Sequence, residues 1–167
     1  MKKNNLFKTL LDILIFLFFI GTITLIVFII RIGGVNISHI DITNIETWNF
    51  FYWLIAIVSL MTYIIFLRGL YFLRKTAKIV TNQYFSDKNI SNSKKAGIHF
   101  LLAGTLYFFI IVILWINIMI DLGQFEIGTD FDIIAPLTLM IIGVFFMIHS
   151  RNLLLAKSFK EENELTV

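Results

Sequence analysis

Four long apolar stretches separated by short polar segments dominate the chain: Leu10 to Ile30, Trp48 to Leu67, Ile98 to Ile120, and Ile133 to Ile148. Each approaches the roughly 20 residues that a helix needs to cross about 30 Å of hydrocarbon, the last being the shortest. The polar remainder is Arg31 to Thr47, Arg68 to Gly97, Asp121 to Asp132 and a tail from His149. None of these segments is long enough to bury a core of its own. The pattern therefore predicts one all-α domain over residues 1–167, an integral membrane bundle of four transmembrane helices.

The middle segment carries its own periodicity. After Leu67, RGLYFLRKTAKIV keeps Leu70, Leu73, Ala77 and Val80 at helical spacing, with Arg74, Lys75 and Lys78 elsewhere around the cylinder. The second helix is thus expected to run on past the membrane. TNQYFSDKN then breaks the pattern, and Ser86 is placed to cap a new helix, its hydroxyl accepting from the Asn89 backbone amide. That helix carries Lys94 and Lys95 and feeds the third span, so helices 2 and 3 form a basic hairpin. Pro136, the only proline, falls in the first turn of the fourth helix, where its missing amide costs nothing. Gly97, Ala103 and Gly104 on the third span, and Gly143 on the fourth, are small enough to let another helix approach closely.

Composition agrees: 58% of residues are hydrophobic, 15% are charged and the mean hydropathy is +0.86, far from the globular range. Charge then orients the bundle. Thirteen of the 14 Lys and Arg residues fall at the termini and in the middle segment, and only Arg31 falls in the loops between paired helices. Basic residues resist translocation, so both termini and the hairpin are expected to be cytoplasmic, N-in and C-in. Asp41, Glu46, Asp121, Glu126, Asp130 and Asp132 all lie on the other side, so the net +3 hides about +8 inside and −5 outside. Met1 to Lys8 before an apolar run resembles a secretory signal. The run is about twice a signal core and lacks a small-residue cleavage site, so a retained first helix is expected.

Little points to chemistry. The chain has no cysteine, which excludes disulfides, thiolate metal sites and cysteine nucleophiles. It contains no HExxH, GxSxG, Walker or Gly-rich dinucleotide motif, and Ser59 has no His or Lys at its depth, so a non-enzyme without cofactor is expected. The outer loop DLGQFEIGTDFD groups four carboxylates but matches no calcium-loop spacing, and no metal site is assigned to it. Asp12, Arg68, His99 and His149 each lie within about a turn of a cytoplasmic boundary. They could form a polar layer in which Asp12 pairs with Arg68, or each could snorkel independently. Thr22, Thr24, Ser59, Thr62, Thr105 and Asn117 read as hydrogen-bonding glue within the bundle.

FSDKNISNSKKAG before the third span and KEENELTV at the end together resemble the YoaS-like family, small four-helix bacterial membrane proteins of unknown function. The matching positions are Phe85, Ser86 and Asn89 in the middle segment and Glu162, Asn163, Glu164, Leu165, Thr166 and Val167 at the end. Glu164 replaces a common aspartate, and Ser91 and Ser93 stand where larger residues are usual. The resemblance implies a bacterial cell membrane and, from the family's frequent neighbour gene, a helix-turn-helix regulator as cytoplasmic partner. The expected function is a binding or regulatory module that uses Arg74, Lys75, Lys78, Phe85, Ser86, Asn89, Glu162, Glu164, Leu165 and Val167. Its expected partners are the lipid bilayer, a cytoplasmic protein and a second copy of the chain, with no direct contact to nucleic acid. Against partner docking stands a tail folded onto its own hairpin, Glu161, Glu162 and Glu164 facing Arg74, Lys75 and Lys78. A small transport component gated by the polar layer, or a membrane immunity protein, is the alternative.

Overall fold

The computed structural model describes residues 2–31, 36–37, 40–41, 50–77, 85–122 and 133–165, with side chains over 7–23, 54–55, 57–77, 85–116 and 133–165. Four helices carry the fold: α1 (Lys2–Arg31), α2 (Phe50–Ala77), α3 (Asp87–Leu122) and α4 (Ile134–Leu165). Stretches of α2, α3 and α4 are long and apolar enough to cross a membrane. A short ribbon absent from the all-α expectation lies between α1 and α2, where β1 (Asn36–Ile37) pairs antiparallel with β2 (Ile40–Asp41). The acidic loop at 123–132, Lys78 and Val167 lie outside the described residues.

Helix ends follow local chemistry. The Asn89 amide donates to the Ser86 hydroxyl at 3.3 Å and to its carbonyl at 2.9 Å, so Ser86 caps α3 as the sequence indicates. Pro136 sits in the first turn of α4. At its other end α4 does not stop with the apolar stretch. HSRNLLLAKSFKEENEL contains no Gly or Pro and is rich in Leu, Ala, Lys and Glu, so helical backbone continues to Leu165.

The helices pack as sequence neighbours, α1 on α2, α2 on α3, and α3 most extensively on α4. The small residues set that last contact. A Cβ at Gly143 would lie 2.6 Å from the Leu101 backbone nitrogen, and one at Gly97 would lie 2.7 Å from the Gly143 carbonyl. A Cβ at Gly104 would lie 2.8 Å from the Pro136 carbonyl. Two hydroxyls stitch the same interface, Ser150 donating to the Ile90 carbonyl at 2.8 Å and Ser93 to the Phe146 carbonyl at 3.4 Å. Lipid tails are as apolar as the helices, so such close packing and interhelical bonds, rather than a hydrophobic drive, hold the pair.

The core joins Leu11 of α1, Leu70 and Leu73 of α2, and Ala96 and Phe100 of α3. An aromatic chain crosses all four helices through it. Phe18 stands 5.1 Å from Phe66, Phe66 stands 5.9 Å from Phe100, and Phe100 stands 6.1 Å from Phe146, between ring centroids. Each pair is edge-on or tilted, the geometry that ring quadrupoles favour.

Candidate functional site

At the α1/α2 end of the bundle, Asp12 pairs with Arg74 rather than with Arg68. The reason is helical phase. Arg74 follows Leu70 by four residues and shares the face that packs on Leu11, next to Asp12. Arg68 precedes Leu70 by two residues, roughly 200° around the helix, and is exposed. The two histidines stay apart from this pair. His99 Nδ1 lies 2.7 Å from the Lys95 carbonyl, which can only accept, so Nδ1 carries the proton. Its ring rests 5.2 Å from Phe72. His149 stacks on Phe145 of its own helix at 6.3 Å. Among the described residues no hydrogen bond or ion pair joins Asp12, Arg68, His99 and His149 to one another.

Two of the basic side chains of α2 and α3 lie over aromatic rings. Lys75 Nζ lies 4.4 Å from the Tyr71 ring centre, and Lys75 and Lys95 each lie 5.7 Å from Phe72. A cation held over a ring face keeps its charge while covering apolar surface. Asn89 is only 1% exposed and faces the bundle interior, as do Asn92 and Ser93. It is thus part of the polar seam between helices rather than of an accessible surface, whereas Ser86 acts through its cap.

The tail is the segment that sequence reading placed least well. Glu161 pairs with Lys157 at 3.5 Å and Glu164 with Lys160 at 3.6 Å, all along α4, so these two acids are not folded back onto Arg74 and Lys75. Lys157 also donates to Asp87 in the first turn of α3 at 2.7 Å. The Asp87 hydrogen bond is the main reason that the Lys157 ammonium titrates above the usual lysine value, partial desolvation opposing it and the Asp87 and Glu161 charges adding to it. This clamp ties the tail helix to the start of α3. Beside it, Phe85, Ala156, Phe159, Lys160, Asn163 and Glu164 line an open groove of about 730 Å³. Phe159 is 61% exposed and Leu165 is 87% exposed. Among the described residues no group of three His, Asp or Glu side chains is placed to hold a metal ion.

A family model described as Protein of unknown function (DUF2975) matches residues 41–167. The chain belongs to that family. The DUF2975 match takes in α2, α3 and α4 and reaches the ENELTV ending, in keeping with the YoaS-like resemblance of that stretch. No curated protein and no solved structure matches the chain. Within the DUF2975 region the Lys157–Asp87 clamp was invisible to local pattern, because its partners stand 70 residues apart. Its only sequence trace is one acid directly after a cap residue and one base in the tail.

Proposed function

We propose that this DUF2975 protein is a four-span membrane protein with both termini in the cytoplasm, and that it works as a non-enzymatic binding module. The α2/α3 hairpin and the end of α4 form its cytoplasmic surface. The observation that supports this reading is the α4 tail: a helix clamped by Lys157 to Asp87 that carries exposed Phe159 and Leu165 beside the Phe85 groove.

The occupant that fits is a short amphipathic helix of a soluble protein, its apolar face on Phe85 and Phe159 and a basic flank toward Glu161, Glu162 and Glu164. A helix-turn-helix regulator, as the family resemblance implies, is the specific candidate. The test is affinity capture in mild detergent with the full chain, a chain ending at Lys157, and Phe159→Asp. A protein retained by the full chain, lost by both variants and shown to bind directly once purified is the expected result. Equal retention by all three would end the tail-docking reading.

A further inference from the structure

A second cavity, separate from the tail groove, lies between the helices and is open on one side. It has a volume of about 430 Å³ and takes residues from all four helices, among them Phe18, Phe66, Ile110 and Leu139. Gly104 lies against Pro136 in the first turn of α4, while α3 continues to Leu122, so the fourth helix begins beside the cavity. The volume is in the range of small-molecule sites, and among the described residues the lining is mainly apolar, without a charged side chain.

Four hydroxyls are exceptions to that apolar lining, and they differ among themselves. Thr62 donates to the Val58 carbonyl at 2.8 Å, and Tyr63 donates to the Phe18 carbonyl, joining α2 to α1. Ser59 and Tyr107 line the cavity as exposed side chains, and neither makes a hydrogen bond to another described residue. In hydrocarbon an unpaired hydroxyl is costly, so both side chains would gain from an acceptor that enters the cavity.

We propose that the cavity binds an uncharged, apolar molecule dissolved in the bilayer, whose carbonyl oxygen accepts the hydroxyl protons of Ser59 and Tyr107. A carbonyl oxygen has two lone pairs and no proton, which matches donors that lack acceptors. Among the described lining residues none is charged, which argues against fatty-acid carboxylates and phospholipid headgroups as occupants, since their charge would find no partner there. This site is independent of the tail reading.

The test uses the full chain in vesicles of ether-linked phosphatidylcholine, a lipid without carbonyl groups. Two photoreactive diazirine probes are compared, a long-chain methyl ketone and the alkane of equal length. The ketone is expected to crosslink saturably to segments 59–66 and 103–110. Removing both hydroxyls, Ser59→Ala with Tyr107→Phe, should raise its half-saturation about tenfold, the worth of two ordinary hydrogen bonds. Thr62→Val should leave it unchanged, and alkane labelling of all variants should stay weak and equal, which also checks that the bundle is intact. Alkane labelling with the same half-saturation as the ketone, ketone labelling that does not saturate, or ketone binding unmoved by the double substitution would overturn the proposal.

Discussion

Replacing Gly143 by alanine tests how tightly α3 and α4 are joined. The added Cβ would meet the Leu101 nitrogen at 2.6 Å and the Gly97 carbonyl at 2.8 Å, both backbone atoms that cannot swing aside. Ordinary contact begins near 3.4 Å, so the helices must part locally by about 0.8 Å. The same movement would stretch the Ser150–Ile90 hydrogen bond from 2.8 Å beyond bonding range. Overpacking of this kind costs about 1–3 kcal/mol. Loss of the Ser150 and Ser93 bonds adds about 0.6 kcal/mol each, and the better helix propensity of alanine returns up to about 1 kcal/mol. The net expectation is a loss of about 1–3 kcal/mol. Gly21→Ala is the matched control, since nothing lies within 4 Å of a Cβ there and only the propensity gain remains. Unfolding in mixed micelles with rising SDS fraction, followed by circular dichroism, should place Gly143→Ala below the unsubstituted protein and Gly21→Ala at or above it. If Gly143→Ala unfolds together with Gly21→Ala, the close α3–α4 packing described here is wrong.

A double-mutant cycle of Asp12→Asn with Arg74→Gln should show a coupling of up to about 1 kcal/mol, kept small because both side chains are partly exposed; the cycle with Arg68→Gln should show none. Ser86→Ala should cost up to about 1 kcal/mol by removing the hydroxyl that shares the Asn89 amide with the Ser86 carbonyl, and Ser86→Asp should restore most of it, both read from the same SDS titration. Because the chain lacks cysteine, Asn4→Cys, Asn163→Cys and Glu126→Cys can be made singly. A membrane-impermeant maleimide added to intact cells should label only position 126, and labelling at 4 or 163 would reverse the proposed orientation. Lys157→Ala should release the α4 tail from α3, seen as faster proteolysis after Ala156 with little change in SDS resistance.

The number of helices could be read directly, because a 20-residue apolar run has few alternatives once a bilayer is the solvent. The Ser86 cap, the continuation of α2 to Ala77 and the small residues of α3 and α4 were also open to reading, each being a local signal with a local cause. The margin residues were not. Asp12 could have paired with any base near the same boundary, and the choice of Arg74 over Arg68 depends on which face of α2 packs against α1. The tail shows the same limit from the other side: its charges left open both a tail folded onto the α2 and α3 bases and a tail docked on a partner, and in the structure it continues as helix to Leu165, with Lys157 bonded to Asp87.

Sequence by itself therefore determined the long apolar helices and the Ser86 cap, since these follow from hydrophobic run length and from hydrogen bonds spanning a few residues. Only the tertiary structure decided which faces meet. That decision rests on steric fit at Gly97, Gly104 and Gly143 and on the aromatic chain from Phe18 to Phe146. A hydrophobic pattern cannot rank such contacts in a membrane, where every face of a helix is apolar and burial against lipid or protein differs little in energy.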